Sequence, residues 1–150
     1  MKATHILLVE DNEGDILLTK EAFDDTKIPI QLSIVKDGKE AMDFVNQSGK
    51  YRNTELPDLL LLDVNLPKKS GHEVLKYIKE AENLKHIPVI MFTTSSDQND
   101  INSSYQNHAN CYVTKPVDAS DFISIVTAIE NFWVNMIKLP LGKMRVNEKR

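Results

Sequence analysis

Four short apolar runs in this sequence end in residues able to do chemistry. Ile6-Leu7-Leu8-Val9 leads into Glu10-Asp11-Asn12, and Leu59 through Leu62 leads into Asp63. Val89 through Phe92 leads into Thr93-Thr94-Ser95, and Tyr112-Val113 leads to Lys115-Pro116. Three carboxylates brought to one place repel, and each raises the others' pKa unless a cation intervenes. A hard divalent ion held by oxygens meets that need. Magnesium suits it best, because it accepts a few carboxylates and keeps waters and a phosphate oxygen in its shell. Metal, carboxylate, hydroxyl and lysine are also the parts that phosphoryl transfer requires, since its catalysis is mostly positioning and charge neutralisation. In that chemistry Asp63 is the nucleophile, and Mg2+, Thr93 and Lys115 each take one phosphoryl oxygen. A lone strand-ending Asp is usually a cap or a solvated charge. Four strand ends supplying this set in this order are hard to assign to chance.

The elements that must position these groups are legible as alternation. Five apolar runs (the four above and Ile30–Val35) are separated by stretches of helical period. Three of the runs are continuous, as expected of strands covered on both faces. Ile16, Leu17, Lys20 and Phe23 mark the first helix; Ala41, Met42, Phe44 and Val45 the second; Val74, Leu75, Ile78 and Ala81 the third. The fourth, from Asp97 to His108, offers only Ile101 and Tyr105 as an apolar pair among Asn and Ser of modest helix propensity. The fifth opens at Asp118 and carries Phe122, Ile125, Ile129, Phe132 and Met136 down one side. Such alternation predicts a doubly wound α/β fold with a five-stranded parallel sheet, whose active crevice lies beyond the carboxyl ends of the strands.

Composition sets the class. A chain of 150 residues with 41% hydrophobic and 27% charged residues can form one domain with a real core. No run approaches the roughly twenty apolar residues of a membrane span. The first apolar stretch stops at Glu10-Asp11, which is not a signal-peptide pattern. One cysteine, Cys111, makes no internal disulfide and agrees with a reducing, cytoplasmic setting. His5, His72, His86 and His108 are scattered, so no zinc spacing exists. The net charge is −4, with a basic stretch at the C-terminus (Lys138, Lys143, Arg145, Lys149 and Arg150 against Glu148). The acidic body argues against nucleic acid as the main partner. Residues 1–140 read as one domain, and 141–150 as a basic, solvated tail.

The chain resembles a response-regulator receiver domain, the phosphoacceptor of two-component signalling. The matching pieces are Ile6 through Asn12, Leu60 through Pro67, Gly71, Pro88 through Thr93, and Tyr112 through Pro116. The resemblance implies a flavodoxin-like strand order 2-1-3-4-5 and phosphorylation of Asp63. It implies Mg2+ bound by Asp11, Asp63 and the backbone carbonyl of Asn65, with Glu10 acting through water. It also implies Thr93 as the switch hydroxyl, Lys115 as partner of the phosphoryl group, and Tyr112 as the aromatic whose rotamer follows Thr93. The Lys115–Pro116 bond is expected to be cis. The acidic pair Glu10-Asp11 replaces two aspartates, a common variant. Asn65 and Ser95 lie two residues beyond Asp63 and Thr93, where water would attack, and Ser95 brings no carboxylate to guide it.

A finer resemblance is to the small stand-alone regulators that serve bacterial phytochromes. It rests on Leu66 through Leu75, Asn110-Cys111-Tyr112, Ile129 through Trp133, Leu139-Pro140, and the long connection from Gly49 to Pro57. It implies a sensor histidine kinase of phytochrome type as partner.

Output is expected through the fourth helix, fifth strand and fifth helix, because the weakly anchored fourth helix suits a switch. A fifth helix from Asp118 to Lys138 would run about 30 Å. Phe132, Trp133, Met136 and Ile137 in its last turns would then be an apolar patch wanting a partner, most simply a second copy. Two other readings compete with a signalling module. An aspartate-nucleophile phosphohydrolase of the haloacid dehalogenase type would carry an acid where Asn65 stands. A receiver-fold scaffold without phosphorylation would be favoured by loss of Asp11, Asp63, Thr93 or Lys115, and all four are present.

Overall fold

The computed structural model describes residues 3–26 and 28–140. Along the chain come β1 (Thr4–Val9), α1 (Glu13–Asp24), β2 (Ile30–Val35), α2 (Gly38–Val45), a 3-10 turn (Gly49–Tyr51) and β3 (Leu59–Leu62). Then follow α3 (Gly71–Glu80), β4 (Val89–Thr93), α4 (Gln98–Gln106), β5 (Cys111–Thr114), α5 (Ala119–Glu130) and a π-helical turn (Asn131–Met136). The strands form one parallel sheet in the order β2-β1-β3-β4-β5. That is the doubly wound order expected above.

The continuous apolar runs divide by parity. Leu7, Val9, Leu60, Leu62, Val89 and Met91 face α2 and α3, where Phe44, Val74, Leu75 and Ile78 meet them. Ile6, Leu8, Leu59, Leu61, Ile90 and Phe92 face α1 and α5, against Ile16, Phe23, Phe122 and Val126. Successive side chains of a strand point to opposite faces, so a run buried on both sides must be apolar throughout. Helix α4 stands apart, with Ser104 its one buried residue.

Each α-helix begins just past the carboxyl end of a strand with a side-chain cap. Asn12, Asp37, Ser70, Asp97 and Asp118 accept backbone N–H groups of the first turn, and Ser70 with Glu73 closes a reciprocal capping box. All five positive helix ends therefore point to one rim of the sheet. Two glycines let backbone crowd that rim. A Cβ at Gly71 would lie 2.0 Å from the carbonyl oxygen of Asp63, and one at Gly38 would lie 1.9 Å from that of Lys69. The loop between these contacts is drawn in by Gly71 N–H donating to Val64 O (2.8 Å) and Gly38 N–H to Pro67 O (3.2 Å). Within it Lys68 adopts a left-handed φ of 68°.

The C-terminal helix departs from the expected Asp118–Lys138 span. The α-helix stops at Glu130, and the next turn widens so that Ile137 N–H donates to Phe132 O at 3.1 Å. The widened turn lets Trp133 and Val134 both pack on the α1–α5 core. Phe132 and Met136 remain 49% and 66% exposed, so the four-residue patch is split between core and surface. The 141–150 tail lies outside the described residues.

Candidate functional site

Backbone bonds continue past the strand ends and fix the site. Glu10 N–H donates to Val35 O (3.0 Å), Asp63 N–H to Val9 O (3.2 Å) and Lys115 N–H to Thr93 O (2.7 Å). Glu10, Asp63, Thr93 and Lys115 are buried at the rim, while Asp11 is exposed. Glu10, Asp11 and Asp63 each offer an oxygen within 4.8 Å of the others.

Lys115 is the hub. Its side chain is 2% exposed, and Nζ donates to Glu10 Oε1, to Asp15 Oδ2 at 2.9 Å and to Asp63 Oδ2 at 3.1 Å. All three ammonium donors are thus used. The Phe92 ring lies beneath, 5.7 Å from Nζ. Burial by itself would pull the lysine down, but Asp63, Glu10 and Asp15 outweigh it and hold the ammonium above its ordinary range. Burial pushes the Glu10 carboxyl up to about 7 against the lowering by Lys115, and Asp63 adds to the rise. Three carboxylates meet one ammonium here and Asp11 stands beside two of them, a hard-oxygen set with unbalanced negative charge. That donor chemistry suits a divalent cation.

Thr93 is fully buried, and its Oγ1 accepts from Ser95 N–H at 3.3 Å. Tyr112 Oη donates to Ser95 O at 2.9 Å, so Ser95 joins the two residues expected to act as a switch. Burial raises the Tyr112 phenol. Asn65 is exposed, with its N–H 3.4 Å from Asp63 Oδ1. Phe132, Trp133, Met136 and Ile137 follow α5, away from the carboxylates in the chain and outside this cluster.

The expected cis bond is a correction. The described residues contain no cis peptide bond, and Lys115–Pro116 is trans. Trans is the intrinsically lower isomer of an X–Pro bond by about 0.5–1 kcal/mol. With it Lys115 still reaches all three carboxylates, while Val117 projects fully into solvent.

Asp15 is the residue that sequence reasoning missed. An acid in the first turn of a helix is ordinarily a complement to the dipole. Its one further signal was its nearness in the chain to Glu10-Asp11, in the first turn of the helix that those residues lead into.

The family model for the response regulator receiver domain matches residues 6–127. The chain is 46% identical over 135 residues to the response regulator Rcp1 of Synechocystis sp., covering 90% of this chain and 92% of that one. Its structure is similar to that of the phosphorylated cyanobacterial phytochrome response regulator RcpA. That match has a TM-score of 0.91 and 47% identity, over 93% of this chain and 99% of the other. It is similar too to the Mn2+-bound form of Rcp1, with a TM-score of 0.89 and 45% identity, over 91% and 99% of the two chains.

Proposed function

The chain belongs to the response regulator receiver family, and we propose that in the cytoplasm it takes a phosphoryl group on Asp63 from a sensor histidine kinase of phytochrome type. The observation that carries this is the contact of Lys115 Nζ with Asp63 Oδ2, 3.1 Å, at a rim where Glu10 and Asp11 add two more carboxylates. Mg2+ is the resident cation in this reading, held by Asp11, Asp63 and the Asn65 carbonyl with Glu10 alongside. Bound there, it would offset charge on the phosphoryl oxygens.

A carboxylate oxygen of Asp63 attacks phosphorus. The bond from phosphorus to the imidazole nitrogen of the kinase's phosphohistidine breaks, and its electron pair returns to that nitrogen. The product is an acyl phosphate on Asp63. The Lys115 ammonium and the Thr93 hydroxyl each take charge building on a phosphoryl oxygen. The chain is a phosphoacceptor that turns over only its own modification, as a signalling protein rather than an enzyme.

Movement of Thr93 toward the phosphoryl group would pull on Ser95 and Tyr112, altering the surface formed by α4, β5 and α5. Exposed Phe132 and Met136 support contact there with a second copy, together with Trp133 and Ile137. The test is intact mass after incubation with Mg2+ and acetyl phosphate, beside Asp63→Asn. One added phosphoryl group in the wild type alone is the expected result. No adduct and no consumption of acetyl phosphate would leave a receiver-fold scaffold, and light scattering of the same samples reads the dimer.

A further inference from the structure

We propose that Asp15 is a positioning residue for Lys115. It is the carboxylate on which the ammonium stays when a divalent cation takes the oxygens of Glu10 and Asp63. The inference rests on the phosphoacceptor reading and adds a residue to it.

Lys115 spends its three donors on Glu10, Asp15 and Asp63. Two of those partners belong to the group that could hold a cation, and Asp15 does not. A cation and an ammonium compete for the same oxygens, and like charges repel across a few ångströms. The ammonium cannot simply retreat, because its side chain is 2% exposed and an unpaired buried charge is costly. Asp15 offers a place already in contact. Its side chain is 23% exposed against 3% for Glu10, so water reaches it as well as the ammonium.

Its backbone is held from two sides. Asp15 N–H donates to the Asn12 cap at 2.9 Å, and the Thr19 hydroxyl donates to Asp15 O at 2.8 Å. The first turn of α1 thus fixes the backbone that carries the carboxylate. Removing its charge leaves Lys115 dependent on Glu10 and Asp63, in direct competition with the cation.

The experiment is calorimetric titration of Mg2+ into the full chain without any phosphoryl donor. The proteins are the wild type, Asp15→Asn, Asp15→Glu, Lys115→Met and the Asp15→Asn/Lys115→Met double variant. Asp15→Asn is expected to weaken Mg2+ binding about tenfold, the scale found for partners that orient a metal site. Asp15→Glu recovers most of the loss. In the Lys115→Met background Asp15→Asn should change affinity little, because the lysine through which it acts is gone. An equal loss in both backgrounds would mean that Asp15 works only as a nearby charge, and no loss in either would mean that it does nothing. Both overturn the proposal. A wild type that binds no Mg2+ and takes no phosphoryl group from acetyl phosphate would remove the phosphoacceptor reading itself, a result distinct from these.

Discussion

Nε2 of His72 lies 3.0 Å from Oδ1 of Asp100 and ties the first turn of α3 to the first turn of α4. The other Asp100 oxygen accepts the Ser95 hydroxyl at 2.6 Å, and Ser95 in turn meets Thr93 and Tyr112. Ser95 first, then His72, holds the Asp100 carboxyl below its ordinary range. A helix with one buried residue is thus fastened at its N-terminal end by polar contacts, beside the Thr93 hydroxyl.

Asp100→Ala removes both contacts at once. A hydrogen bond of this kind contributes about 1 kcal/mol. Two such bonds amount to about 2 kcal/mol, so amide exchange within α4 should accelerate about thirtyfold, while amides of β1, β3 and β4 keep their protection. Unchanged exchange in α4 would show that the fastening lies elsewhere.

Divalent metal should control phosphoryl uptake. EDTA is expected to abolish the mass increase given by acetyl phosphate, and Mg2+ or Mn2+ to restore it. Asp11→Ala, which takes away the exposed member of the carboxylate group, should weaken Mg2+ binding at least about tenfold by calorimetry. Full uptake in EDTA would contradict the metal reading.

Gly71→Ala should be among the most damaging single changes. The added Cβ would stand 2.0 Å from Asp63 O, a backbone atom that no rotamer change can relieve. Overpacking of this kind costs about 3 kcal/mol. Urea denaturation should show that loss, and a variant as stable as wild type would mean that the loop yields freely.

Lys79 gives a pH signature. Its Nζ donates to the carbonyls of Lys85 (3.0 Å) and Ile87 (2.7 Å), and burial lowers its pKa from 10.5 to about 8. Between those values the unfolded chain binds more protons than the folded one, so stability rises with pH. Below about pH 8 both states are protonated, and the cost of burying the charge is fully present. Tyr51, raised by burial and by Glu40, acts in the opposite sense above its ordinary value of 10.0. Urea midpoints should therefore climb from about pH 8 to about 9.5, and Lys79→Met should flatten the climb. Equal slopes in both proteins would rule Lys79 out.

What the sequence made legible follows from what local pattern can encode. Leu59 through Leu62 reads as a strand covered on both faces because each face demands its own apolar residues, and the structure divides them that way. Glu10, Asp11, Asp63 and Lys115 were legible together because each follows its strand directly, and parallel strands deliver their ends to one rim. Asp15 was not legible: it sits inside a helix, and its partner lies 100 residues away. His72 and Asp100, 28 residues apart, face each other only once α3 and α4 are laid down. The fifth helix was read too long because a 3.6-residue period does not distinguish an α-turn from the wider turn at Asn131–Met136. Nor does a Lys-Pro pair alone decide its isomer.

The close seats at Gly38 and Gly71 give the rim a direction of compliance. On the side of α2 and α3, the loop after Asp63 is wedged between two helix starts and bonded to both. On the side of α4, the neighbouring loop is fastened by side chains that can exchange partners. A load applied at Asp63 meets a rigid abutment one way and a yielding seam the other. A displacement started at Asp63 is therefore expected to travel toward Ser95 and α4, steered by where the backbone leaves no room.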